Sequence, residues 1–441
     1  MSITAPDLAA PQRQKLCKPD YLLLGCTIAL LVLGTLMVYS ASFVVAHNEF
    51  SDDAYFLIRQ LLWVGIGSVA FLFGMTVDYH RWRSVSLVLM LVCIALLIAV
   101  LIPSIGSRSY GASRWLRLGS FFQIQPSELA KIAIVLYLAD WLARRGSIVR
   151  EFGKGLLPFA IIVTLVAGLV ELQPDLGTMS IIVGAAACVF FVAGANLMHI
   201  GMLGCVGVLA GLALVSRMSS YRQDRIAAFL DPWSDIQGSG WHTAQGLIAL
   251  GSGGPLGRGL GESFQKFYWV PNAHTDAIFA IIGEELGFLG SVGLLVLFGI
   301  LAWRGFLIAF RAPDSFGRLF ATGLTCMLTL QALVNIAVVT NSVPYTGITL
   351  PLVSFGGSST VISLLAVGLL LNISRFNGLQ LPQEVDEAPH PAAVPDAPRT
   401  VRAARRARSF VPQTTGAHRR TPRRVVPQVT PPRRRVRGVH G

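Results

Sequence analysis

The sequence predicts an all-α polytopic membrane protein, with about ten transmembrane helices and a large extracytoplasmic loop between the seventh and the eighth. Two observations carry this expectation. Hydrophobic residues make up 53% of the 441-residue chain and charged residues only 13%, with a mean hydropathy of +0.60. A water-soluble fold cannot hide that much apolar surface. The apolar residues also gather into stretches of roughly 20, the length that crosses a bilayer, and their longest polar interruption runs from Arg217 to Thr275.

Taken in order, residues 1–20 form a short cytoplasmic segment carrying Arg13, Lys15 and Lys18. Spans are expected near 21–45, 57–77, 85–105, 127–142, 156–171, 176–194, 199–216, 277–303, 318–341 and 352–374. The first is longer than a signal-peptide core and lacks a small-residue cleavage site, so it should be retained. The fourth is the least apolar, because Glu128 and Lys131 lie inside it. An even number of spans puts both termini on one side. Basic residues in short loops mark that side as cytoplasmic: Arg81 and Arg83, then Arg144, Arg145, Arg150 and Lys154, then Arg304, Arg311 and Arg318. The opposite side takes Glu49, Asp52, Asp53 and the 217–275 loop. Arg108, Arg114 and Arg117 break the pattern. They are either ordinary loop charges or candidates for holding an anionic ligand.

Residues 376–441 have no aliphatic periodicity and should form a disordered, Arg/Pro-rich cytoplasmic tail. Thirteen arginines against four acids place most of the chain's net charge of +13 there. Clusters such as Arg433–Arg435 suit anionic lipid headgroups or an acidic partner. Nucleic acid is not expected, since no binding fold or aromatic platform accompanies the charge. The six cysteines form no CxxC pair and suit packing, and no residues are assigned to a metal.

The chemistry centres on Asp276. It ends the run Trp269–Asp276, where the polar loop re-enters hydrocarbon, and an ionisable group there marks a functional site. An acid/base role fits better than metal binding, because His274 and Asp276 have no further ligands at suitable spacing. Glu284 and Glu285 lie about 12 Å deeper on the same helix and suit structural hydrogen bonds. Glu128 and Lys131 share one helix face and should pair, either structurally or to hold a cation ready for a phosphate-bearing ligand. Asp175 suits a helix cap. The glycine-rich run 251–261 is neither a P-loop nor a Rossmann turn and suits a flexible or re-entrant segment. Trp241–Leu250 suits an amphipathic helix at the membrane interface. Leu350–Ser359 offers either close helix packing or a helix N-terminus facing an anion, with Ser358 and Ser359 in its first turn.

Seven pieces in order carry a family resemblance: GASRW (111–115), QPSELAK (125–131), QPDLGT (173–178), the GSGG…GRGLG loop, PNAHTDAIF (271–279), GEELGFLG (283–290) and LPLVSFGGSS (350–359). Across residues 21–375 the chain resembles the SEDS family, which includes FtsW, RodA and SpoVE. The resemblance implies a ten-helix peptidoglycan glycosyltransferase that polymerises lipid II at the outer face of the cytoplasmic membrane. It implies lipid II and undecaprenyl diphosphate as ligands, and a class B penicillin-binding transpeptidase and other division proteins as partners. Asp276 matches the family's essential aspartate, and Glu128 and Lys131 match its intramembrane pair. Lys131, Arg114 and Arg258 are the candidates to receive the diphosphate. Trp115, Gln245, His274, Ser358 and Ser359 complete the expected substrate contacts. Gln123 departs from the family, some members having a basic residue there. The ending GLLLNISR (368–375) and the tail look more like FtsW, implying a division role at the septum. A flippase or secondary transporter, or an elongation-type polymerase, is the alternative. No cofactor is assigned, and help from a divalent cation is left open.

Overall fold

The structure is a computed structural model that describes residues 17–103, 106–109, 112–118, 122–216 and 220–376. The Arg-rich tail, expected to be disordered, lies outside the described residues. Helices stand at each expected span: α1 (Tyr21–Phe50), α2 (Tyr55–Thr76), α3 (Tyr79–Leu101), α4 (Pro126–Ala143), α5 (Leu157–Glu171), α6 (Leu176–Val192) and α7 (Leu197–Ser216). The loop then contributes α8 (Ser220–Leu230) and α9 (Trp241–Ser252) before α10 (Ile278–Arg311), α11 (Ser315–Val339) and α12 (Gly357–Ser374). Among the described residues, seven helices are long and apolar enough to cross a membrane. Helix α4 carries Glu128, Lys131 and Asp140, and α6 is a shorter apolar helix.

Side-chain caps start several helices. Asp20 accepts from the Leu23 N–H at 3.0 Å to open α1, and Asp78 accepts from the His80 N–H at 2.9 Å to open α3. These caps sit at one end of the bundle, where further polar groups tie distant helices together. Arg304 of α10 reaches Asp20 (Nε to Oδ2, 2.9 Å). Asn372 of α12 accepts from the Tyr79 N–H at 2.9 Å and donates to the Met75 carbonyl at 2.7 Å. Arg83 and Arg144 share the Asp140 carboxylate at 2.7 and 2.8 Å. Between those tied ends, α2 and α12 pack through small residues, as expected where lipid offers no hydrophobic drive for helix association. Gly67 faces Leu364, and Gly368 faces the Phe71 backbone.

The fold is mostly helical, as expected, with one small sheet added. The chain is not wholly helical, because the connection between α3 and α4 folds into a three-stranded antiparallel sheet: β1 (Gly106–Ser109), β2 (Ala112–Leu118) and β3 (Phe122–Ile124). Gly106 pairs with Leu116, which on its other side pairs with Ile124. β1 and β3 have only four and three residues, and β2 breaks alternation at the adjacent Trp115 and Leu116, so the segment looked like a charged loop.

The glycine-rich run also differs from a flexible segment, because it is docked against α10. That helix breaks at Gly287 (φ 68°, ψ −165°). The loop replaces the lost helical bonds: Arg258 and Gly259 N–H groups donate to the Glu284 and Glu285 carbonyls at 3.0 Å each. The Phe288 and Leu289 N–H groups donate to the Gly254 and Pro255 carbonyls at 2.9 and 3.1 Å. Contact is so close that a Cβ on Gly287 would lie 2.2 Å from the Gly257 nitrogen. Gly287→Ala should therefore cost about 1–3 kcal/mol from backbone strain alone, with more from that clash. Gly299→Ala, in the same helix with nothing within 4 Å, is the control. Thermal unfolding of the purified variants should show a lowered Tm for the first and no loss for the second.

Candidate active site

Asp276 lies on the turn that enters α10. Asn272 adopts φ 52°, and its carbonyl accepts from the Thr275 N–H at 3.0 Å, which presents the Asp276 carboxylate to the bundle. Asp276 is only 7% exposed. Its Oδ1 accepts from the Thr275 hydroxyl at 2.9 Å, and its Oδ2 accepts from the Tyr345 hydroxyl. Its main-chain carbonyl accepts from Asn335 Nδ2 at 2.8 Å. The Tyr345 ring lies 4.2 Å from the His242 ring of α9 and 5.0 Å from the Arg225 guanidinium of α8. A small cavity beside them is lined by His242, Gly246, Ala277, Val339 and Tyr345.

His274 packs against Phe56 and Phe355, with ring centroids 4.4 and 5.6 Å away. Its carbonyl accepts from the Phe355 N–H at 2.9 Å. Burial pushes its imidazole down to about 4, against the opposing pull of the Asp276 charge. Burial likewise lowers His242. Both rings are thus neutral at neutral pH, and His274 can serve as a hydrogen-bonding group but not as a cation. This carries a sign. Between the ordinary histidine value near 6.5 and about 4, the unfolded chain binds a proton that folded His274 refuses. The stability of the neutral form is present above that window and is lost as pH falls through it, at about 1.4 kcal/mol per unit. His274→Phe keeps the aromatic packing, so its Tm should fall less than the parent's on acidification from pH 6.5 to 4.

The second expected centre, Glu128 and Lys131, lies at the start of α4. Lys131 is 1% exposed. Its Nζ donates to Glu128 Oε1 at 2.9 Å and to Gln331 Oε1 of α11 at 2.6 Å. The same Nζ is 2.9 Å from Glu128 Oε2, so both carboxylate oxygens face the ammonium. Gln331 passes the link on, donating to the Thr349 carbonyl at 3.0 Å and to Ser359 Oγ at 3.1 Å. Gln331 and Asn335 are one helical turn apart, about 6 Å along α11. Asn335 also donates to the Ile348 carbonyl at 2.7 Å. One face of α11 thus connects the Lys131 pair to the backbone of Asp276, with the 345–350 segment lying along it.

The other expected residues fall around these two centres. Asp175 caps α6 by accepting from the Thr178 N–H at 3.1 Å, and its second oxygen accepts from Gln125 Nε2 at 3.0 Å. Ser358 Oγ accepts from the Gln125 N–H at 3.1 Å. The starts of α4, α6 and α12 are therefore joined. Arg114 of β2 donates to the Gln173 carbonyl at 3.0 Å and to the Pro174 carbonyl, binding the sheet to that junction. Trp115 pairs with Ser107 across the sheet and is part-buried. Gln245 is buried on α9. Arg258 is held at the kink, with Nε 3.3 Å from the Ser252 carbonyl and its guanidinium 4.8 Å from the Phe264 ring. Glu284 accepts from the Ser263 hydroxyl and the Phe264 N–H at 2.5 and 3.0 Å. Glu285 accepts from Ser40 at 2.6 Å and from buried Lys266 at 3.2 Å.

Sequence reasoning missed Tyr345, Arg225, His242, Gln331, Asn335 and Lys266. For Gln331 and Asn335 a signal existed, since two amides four residues apart in an apolar span should face a polar partner. Tyr345 had none, because it lies in an irregular connection. Among the described residues, no three His, Cys, Asp or Glu side chains gather as a metal-ligand set.

An apolar helical bundle with a buried carboxylate at the mouth of a large loop, and an ion pair at membrane depth, defines a multi-pass membrane protein with a polar site at one end. The chain belongs to the family of FtsW, RodA and SpoVE, described as "Cell cycle protein", which matches residues 20–378. It is 46% identical over 363 residues to stage V sporulation protein E of Bacillus subtilis, covering 82% of this chain and 99% of that protein. It is 44% identical over 367 residues to the probable peptidoglycan glycosyltransferase FtsW of Trichlorobacter lovleyi, covering 83% and 95%. Among solved structures, a chain of a peptidoglycan synthase complex that coordinates polymerization and crosslinking is similar, with TM-score 0.67, 30% identity and coverage of 81% and 98%. The rod shape determining protein RodA of Thermus thermophilus is similar at TM-score 0.61, with 30% identity and coverage of 82% and 98%.

Proposed function

We propose that this chain is a peptidoglycan glycosyltransferase that polymerises lipid II at the outer face of the cytoplasmic membrane, with Asp276 as general base. The observation that carries the reading is a single carboxylate, held by two hydroxyls, where the large loop meets the bundle. Each elongation step joins a sugar hydroxyl to an anomeric carbon that carries a lipid diphosphate. Asp276 takes the proton from the attacking hydroxyl. The diphosphate leaves with the bond electrons, and positive charge near it stabilises that departure. Lys131 brings a buried positive charge for this, and Arg114 and Arg258 have further N–H groups beyond those bonded to carbonyls. Displacement at an α-linked donor gives a β-linked chain, so inversion needs no covalent sugar–enzyme intermediate.

Several finer assignments belong to the same reading. Ten crossings place both termini in the cytoplasm and the 217–275 loop outside, as the distribution of basic residues supports. The 44% identity to a probable FtsW supports a division role at the septum. The likeness to a chain of a polymerising and crosslinking complex supports a class B penicillin-binding transpeptidase as partner. The test is purified full-length protein incubated with lipid II, with and without a transpeptidase. Long glycan strands are expected. Lipid II moved across vesicles without polymer formation would establish the flippase instead.

A further inference from the structure

We propose that Tyr345 is the positioning residue for Asp276, fixing its carboxylate through the hydroxyl while Arg225 and His242 of the large loop hold the ring. The proposal rests on Asp276 being the general base. A base must present an oxygen within hydrogen-bond reach of the hydroxyl it deprotonates. The Thr275 hydroxyl on Oδ1 belongs to the neighbouring residue, so it moves with the turn and cannot set the side chain against the bundle. Tyr345 can, because it comes from the connection after α11 and reaches Oδ2 across 69 residues of sequence.

That connection is itself anchored. Asn335 holds the Ile348 carbonyl at 2.7 Å, and Arg225 Nη1 donates to the Tyr345 carbonyl at 3.2 Å. Gly347, at φ 70°, lets the backbone pass close to the carboxylate, where a Cβ would lie 3.6 Å from Oδ2. The ring then meets His242 at 4.2 Å and the Arg225 guanidinium at 5.0 Å. Helices α8 and α9 of the loop therefore bear on the carboxylate through one aromatic ring. A carboxylate has about four lone-pair sites, so two hydroxyl donors still leave room for the substrate hydroxyl.

The test is steady-state polymerisation of lipid II by the full chain carrying Tyr345→Phe, Tyr345→Ala or Arg225→Gln, with Asp276→Asn alongside and Tm measured for each. Misplacing a reacting group slightly costs about 10²-fold. Tyr345→Phe should therefore lose about that much in kcat, with KM and Tm close to the parent. Tyr345→Ala should be no more active than Tyr345→Phe. Arg225→Gln should lose less kcat, and adding it to Tyr345→Phe should cost little more, since both act through one contact. A parent-like kcat for Tyr345→Phe beside an inactive Asp276→Asn overturns the inference and leaves the base assignment standing. A loss confined to KM also overturns it, because Tyr345 would then be binding substrate. An active Asp276→Asn removes the base and the inference together. Should Tyr345→Phe fail to fold, Arg225→Gln decides, and an unchanged kcat there counts against the proposal.

Discussion

Asp276→Asn protein is expected to fold and insert normally and to polymerise lipid II about 10²–10⁴-fold more slowly, the usual loss on removing a general base. The amide preserves size and keeps an oxygen to accept from Thr275 or Tyr345, so the contacts around it survive in part. What disappears is the capacity to take a proton. The backbone carbonyl of residue 276 still holds Asn335, so Tm should stay near that of the parent. The measurement pairs glycan-strand yield with thermal unfolding on the same preparation. Near-normal polymerisation by a well-folded Asp276→Asn protein would sink the assignment.

The second large effect is expected at the Glu128–Lys131 pair. Each charge is buried, so removing one partner strands the other at membrane depth. Glu128→Ala should destabilise by about 3–5 kcal/mol, and should lower activity with it. Lys131→Ala should abolish most polymerisation, because it removes both the buried positive charge and the bond to Gln331. The exchange Glu128→Lys with Lys131→Glu separates the two roles. It retains a pair across the same helical spacing but moves the cation away from Gln331. Stability should largely return while activity does not. A fully active exchanged protein would make the pair purely structural and leave the diphosphate to other cations.

The membrane class and the helix positions were legible in the chain alone, because hydropathy is a local sum that needs no knowledge of neighbours. Asp276 was legible for a related reason: a carboxylate at the edge of an apolar run stands out against its own surroundings. Glu128 and Lys131 were legible as a pair because three residues on one helix set their geometry. The small β-sheet was not, since its outer strands are very short and its central strand does not alternate. The break at Gly287 was hidden inside an apolar helix, because what holds it open is the backbone of the distant glycine-rich loop.

Tertiary structure alone decided how the chemical groups meet. Lys131 finds Gln331 across 200 residues of sequence, and Tyr345 finds Asp276 across 69. Neither pairing follows from spacing, periodicity or composition. Both depend on which faces of α4, α10 and α11 pack together, and helix packing is settled by the shapes of many side chains at once. The sequence by itself therefore determined where charge enters the membrane. Only the packed bundle determined that one face of α11 ties the buried ion pair to the turn carrying the carboxylate, and that a tyrosine gripped by the loop holds that carboxylate still.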